Sequence, residues 1–219
     1  MKIHLQKEID KLKKNLFHLS TLVEESLEMA VKAIQDQDTE LAASVPVRDK
    51  EIDRLEVEVE EDCLKILALH QPVAADLRFL ITALKMNNDL ERIGDRAVNI
   101  ARAQRFLARC QGRHLFADQI EKMGEMARKM LSKALESQMN RDPEGARSVM
   151  QDDDEVDTAY YKLIDEVKAA IAEGPDKAEE LIGWIMVAKH IERVADLATN
   201  IAEDTIYMIK GDIVRHGQG

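Results

Sequence analysis

The sequence predicts an all-α protein made of two tandem three-helix bundles, and three observations carry that prediction. Aromatic residues make up only 4% of the chain and there are 9 Gly and 4 Pro, so the residues that build strands and tight turns are scarce. Charged residues make up 33%, enough to solvate the outer faces of long helices. Apolar residues recur in alternating steps of four and three, and the whole pattern occurs twice. At 219 residues the length alone admits one domain or two, so the repeat decides the organisation.

The elements follow in order. Leu5, Ile9, Leu12, Leu16, Leu19, Val23, Leu27, Ala30 and Ile34 trace one seam along a first helix, which Asp36, Asp38 and Thr39 interrupt. A second helix places Ile52, Leu55, Val59, Cys63 and Ile66 on one face and stops at Gln71-Pro72, where proline lacks the amide that continuation needs. Pro72 is expected to open the third helix. That helix should run from near Val73 to Cys110, with Gln111-Gly112-Arg113 as its stop. The pattern then restarts with Ile120, Met123, Met126, Met130 and Ala134 on a fourth helix. A break follows at Asp142-Pro143, a fifth helix through Val156, Tyr160, Ile164 and Val167, and a sixth after Gly174-Pro175. The expected units are residues 1–111 and 115–213.

Direct alignment supports the duplication. Residues 91–101, ERIGDRAVNIA, match 192–202, ERVADLATNIA, at seven of eleven positions with a constant offset of 101. Asp38, Ala42, Val45, Asp49 and Asp53 recur as Asp142, Ala146, Val149, Asp153 and Asp157 at an offset of 104. A period this long, present twice, fits duplicated bundles better than a stacked solenoid.

Composition also bounds function. The net charge of -11, from 31 basic and 42 acidic residues, opposes binding to nucleic acid or to an anionic membrane surface. Cys63 and Cys110 stand alone, without metal-site or disulfide spacing, and read as packing residues. No uncharged stretch approaches the ~20 residues of a bilayer span, so a cytoplasmic location is expected. His70 and His190 lack a carboxylate partner at helical spacing, and no serine or cysteine nucleophile signature is present.

The best-conserved features of the repeat are polar. Glu91, Asp95 and Asn99 lie at steps of four, as do Glu192, Asp196, Asn200 and Asp204, so each set forms a stripe along its helix. At 100° per residue, Leu90, Ile93, Ala97 and Ile100 point roughly opposite Asp95, and their counterparts stand likewise to Asp196. The stripes should therefore face outward. Carboxylates one turn apart repel by a few tenths of a kcal/mol, ~0.2–0.5 per pair, unless a cation or an arginine offsets them. Arg92, Arg96 and Arg193 are near enough to make each stripe a salt-bridged, solvated face. In the other reading, Asp49 with Asp53, and Asp153 with Asp157, are brought from neighbouring helices to share one cation with a stripe. Oxygen donors suit Mg, Mn or Fe, with the amides of Asn99 and Asn200 as neutral ligands, and the lack of nearby His or Cys makes tetrahedral zinc less natural.

HQPVAADLR at 70–78, LERIGDRAVNIA at 90–101 and IERVADLATNIAED at 191–204 together resemble the duplicated pattern of the PhoU family, across nearly the whole chain. The resemblance implies two packed three-helix bundles that form a homodimer or a higher oligomer. It implies a non-enzymatic, cytoplasmic negative regulator linking the ATP-binding subunit of a phosphate ABC transporter to a phosphate-sensing histidine kinase. Some members bind iron or zinc clusters at ExxxD motifs, which map here onto Glu91 with Asp95 and Glu192 with Asp196. The family's helix-two aspartates map onto Asp49, Asp53, Asp153 and Asp157. The second unit departs from the pattern: it reads Gly174-Pro175-Asp176-Lys177 where the first has QPxxxDLR, and Leu197 where the first has Arg96. Two other classes stay open: a carboxylate-bridged, metal-dependent phosphohydrolase, favoured by a cavity enclosing the stripes, and an adaptor whose acidic face meets a basic partner.

Overall fold

Among the described residues six long helices succeed one another: α1 (Lys2–Gln35), α2 (Thr39–His70), α3 (Ala74–Leu107), α4 (Ala117–Asn140), α5 (Pro143–Glu173) and α6 (Ala178–Lys210). A short 3-10 turn, Pro175–Lys177, leads into α6. The structure is a computed structural model and describes residues 2–109 and 115–211. Among these residues there is no strand, as the composition predicts. No helix of the described residues is long and apolar enough to cross a membrane.

The helix ends explain part of the sequence repeat. Asp38 caps α2 by accepting from the Glu40 and Leu41 amides, both at 2.9 Å, and Asp142 caps α5 by accepting from the Glu144 amide at 3.0 Å. Gln37 and Arg141, just before the caps, both adopt the left-handed conformation. The cap amides return to the preceding helix in the same way, Asp38 to the Ala33 carbonyl and Asp142 to the Ser137 carbonyl. The repeated hairpin turn thus accounts for Asp38 and Asp142, which play no part in a site.

Two expectations shift. Pro72 lies outside α3, whose cap is Val73, and α3 ends at Leu107, ahead of the expected stop. Cys110 and Gln111-Gly112-Arg113 lie outside the described residues. α2 also continues through Pro46, its eighth residue, which leaves the Ala42 carbonyl without the amide that any other residue there would donate.

The two repeats share one core. A continuous set of buried residues includes Leu27 of α1, Ile52 of α2, Ile93 of α3, Met130 of α4, Val156 of α5 and Ile201 of α6. A smaller cluster around Leu12, Val59, Cys63, Ile66 and Leu80 packs the far end of the first repeat. Burial pushes the Cys63 thiol up to about 12, which suits packing and not nucleophilic chemistry.

The repeats join mainly through α3 and α6, with α1 against α4. Arg78 meets the Met208 carbonyl and Thr82 that of Asp204, whereas Leu107 packs beside Gly183. The two helices therefore run antiparallel and carry the two ERxxD motifs past each other near their middles. Lys85 of α3 clasps buried Asp204 of α6 at 2.8 Å.

Candidate functional site

The first acidic site forms where α2 crosses α3. Buried Ile52 anchors α2, so Asp49 and Asp53 flank the contact and lean toward Glu91 and Asp95. Gly94 lets α2 come close: a Cβ there would sit 3.0 Å from the Asp49 Oδ1 and 3.3 Å from Ile52. Burial, then Asp53 and Asp95, push the Asp49 carboxyl up to about 6, and Arg102 partly opposes them. Burial, then Asp95, Asp53, Glu56 and Asp49, raise Glu91. The four carboxylates predicted from sequence therefore do converge. Among the described residues none of them has an ion-pair partner.

Sequence reasoning missed Glu56, one further turn along α2. It accepts a hydrogen bond from the Asn87 amide at 3.2 Å, and burial followed by Glu60 and Asp53 raises its pKa. The signal was present as the step of seven from Asp49. An open groove of about 750 Å³ continues from the site along Asp53, Glu56, Glu60, Asn87, Asn88 and Glu91. Asn99 is turned to another use, its Oδ1 accepting from Arg102 at 3.3 Å.

The second site repeats the geometry with different electrostatics. Asp153 of α5 is raised to about 6 by burial, then by Asp196, Asp157, Asp154 and Glu192. Here cations answer the carboxylates: Lys189 reaches Glu192 at 2.6 Å, and Arg193 reaches Asp196 at 2.6 Å. Asn200 bonds instead to Asp89 of α3, itself pushed up to about 6, mainly by burial. The outward-facing expectation holds for exposed Asp95 and half-exposed Asp196 but fails for Glu192 and Asp204, which are 8% and 5% exposed. The seam estimate allowed α6 one packed face, whereas α6 touches α3, α4 and α5.

Metal could be held only after side-chain movement. Among the described residues no three His, Cys, Asp or Glu side chains are gathered tightly enough to hold an ion as they stand. The donor set of the first site fits a hard cation: it is all oxygen, it is uncompensated, and its Asp49 is held against its own charge. The second set fits less well, since Lys189 and Arg193 already pair with two of its carboxylates, Glu192 and Asp196. The first ladder lies along an open helix face, with Asp53 and Asp95 exposed, unlike the enclosing cavity that a phosphohydrolase would use. His70, without a carboxylate partner at helical spacing, ends α2 with its Nε2 3.2 Å from Glu8 of α1.

The fold and its paired sites define the class: an internally duplicated, all-helical bundle protein that displays two related acidic faces. The PhoU domain model matches the chain twice, at residues 16–104 and 120–205. The phosphate-specific transport system accessory protein PhoU homolog of Aquifex aeolicus is 36% identical over 212 residues, covering 97% of this chain and 96% of its own. That of Clostridium acetobutylicum is 31% identical over 209 residues, 94% of each chain. The crystal structure of PhoU from Pseudomonas aeruginosa superposes with a TM-score of 0.92 at 33% identity, covering 94% of this chain and 99% of that one. The chain belongs to the PhoU family. These relatives are described as accessory or regulatory proteins, and none of the descriptions is that of an enzyme.

Proposed function

We propose that this protein is an accessory regulator of phosphate transport that works through protein contacts in the cytoplasm. The observation that carries the reading is near-full-length similarity to phosphate-specific transport system accessory proteins, on a fold that keeps both repeats. In this reading it restrains uptake and starvation signalling by touching the transporter's ATP-binding subunit and a phosphate-sensing histidine kinase, and it acts as a homodimer or higher oligomer. Deleting the gene should raise phosphate uptake and derepress a starvation reporter in phosphate-rich medium. An unchanged reporter together with unchanged uptake would sink the proposal.

The first acidic site is proposed to hold a divalent or trivalent metal ion, from among iron, zinc, manganese and magnesium. Asp49, Asp53, Glu91 and Asp95 would supply the oxygens, and the ion would neutralise a ladder that now repels itself. Asp153, Asp157, Glu192 and Asp196 would bind more weakly, because a metal there must displace Lys189 and Arg193. Copurification with the ATP-binding subunit, with and without chelator, tests whether the metal matters to partner binding. Capture that ignores chelator but weakens with salt would leave an acidic adaptor and remove the metal from the mechanism.

A further inference from the structure

We propose that the cleft between α3, α5 and α6 binds inorganic phosphate in its hydrogen phosphate form. The cleft has a volume of about 330 Å³, and Arg92 and Arg96 of α3 line it together with Arg193 of α6. Two arginines one turn apart on one helix meet a third from an antiparallel neighbour. Three guanidiniums around one opening repel one another unless anions answer them.

The protein answers two of the three. Arg193 takes Asp196 at 2.6 Å, and Arg92 takes Asp89 at 3.4 Å. Arg96 makes no ion pair among the described residues, and its buried Nε has no hydrogen-bond partner. The buried Thr199 hydroxyl on the same cleft is likewise without a partner. Buried polar groups are almost always satisfied, so two such groups lining one arginine-rich opening mark a missing acceptor. A tetrahedral oxyanion supplies acceptors in every direction, and guanidinium forks match it in pairs.

The lining also contains Asp153 and Asp196, and these narrow the choice of ligand. A carboxylate repels sulfate, which has only acceptors, but it accepts a hydrogen bond from the P–OH of hydrogen phosphate. Near pH 8 the dianion of a phosphate monoester carries no such proton. Free phosphate is therefore favoured over both.

Divergence of the repeats points to the same place. At the offset of 101, Arg96 corresponds to Leu197 and Thr199 to Val98. The two groups left without partners thus stand where the repeated motifs differ, and a symmetry-related cleft would carry leucine and valine instead. One such cleft per chain is what this arrangement provides.

The proposal gives the regulatory reading a ligand, and its test needs neither transporter nor kinase, so the two can fail separately. Titration calorimetry of the purified chain in chelator at pH 8 should show saturable binding of inorganic phosphate, at least tenfold tighter than sulfate or phenyl phosphate. Arg96→Gln should weaken binding at least tenfold with its melting transition retained, and Thr199→Val should weaken it severalfold. Asp153→Asn should narrow the gap between phosphate and sulfate. Absence of saturable phosphate binding at millimolar concentration, or equal affinity for sulfate, would overturn the proposal. So would unaltered affinity in both Arg96→Gln and Thr199→Val.

Discussion

The two acidic sites have the same carboxylates and opposite surroundings. At the first, Asp49, Asp53, Glu91 and Asp95 face one another without an ion pair; at the second, Lys189 and Arg193 hold Glu192 and Asp196. The difference traces to two adjacent positions. Where the second repeat has Lys189 and His190, the first has Asn88 and Asp89. Asn88 brings no charge to Glu91, and Asp89 draws Arg92 back toward the start of the helix, away from Asp95. A duplicated motif can therefore keep its ligand-like residues while its neighbours decide whether they await a cation or already have one.

The largest test of this contrast is metal removal. Asp49→Ala with Asp95→Ala should abolish most bound metal measured by elemental analysis, whereas Asp153→Ala with Asp196→Ala should leave most of it. For a site filled at a hundredfold excess over its Kd, chelation should cost ~2.7 kcal/mol of stability, seen as a lower melting temperature. Equal loss from both double variants would erase the distinction.

Proton linkage gives the next effect. Asp49, Asp89 and Asp153 are all raised to about 6 in the folded chain, above their ordinary carboxylate values. The folded state then binds more protons than the unfolded one, so metal-free stability should fall as pH rises from about 4 to about 6 and then level off. Asp49→Asn should flatten this slope and raise metal-free stability at pH 7.5 by on the order of 1 kcal/mol, well below full linkage because the carboxyl is only half-buried. Denaturant titrations across that range check both the slope and its sign.

Gly94→Ala isolates geometry from charge. The new methyl would crowd Asp49 and Ile52, while alanine recovers about 1 kcal/mol of helix propensity, so stability should change little and metal affinity should drop severalfold. A variant that binds metal as wild type does would show that the close approach of α2 is unnecessary. The smallest effect is expected from Asn88→Lys, which copies Lys189 into the first repeat. It should stabilise the metal-free chain by a few tenths of a kcal/mol, ~0.2–0.5, and weaken metal binding, bringing the first site toward the second.

Much of this was legible in the sequence because it depends on spacing within one helix. The seams through Leu12, Leu19 and Leu27 and through Ile52, Leu55 and Val59 are buried as the heptad steps require. The approach of Asp49 and Asp53 to Glu91 and Asp95 also followed, since α2 and α3 are joined by a short turn. What stayed hidden depends on the register between helices about a hundred residues apart. No local pattern shows that Lys85 will meet Asp204, that Asn200 will reach Asp89, or that Arg92 and Arg96 will stand beside Arg193. The burial of Glu192 was missed for the same reason, because one stripe of apolar residues does not reveal how many neighbours α6 has.

The core that runs through all six helices carries a consequence for the origin of the chain. A protein cut to its first repeat would expose the face of α3 that now meets α6, together with the side of α1 that rests on α4. Such a fragment would be driven to pair with a second copy, at a cost set by dilution. Joining two copies in one polypeptide makes that encounter intramolecular, at an effectively millimolar concentration however scarce the protein is. It also frees the halves from having to match, and Arg96 opposite Leu197 shows that freedom in use.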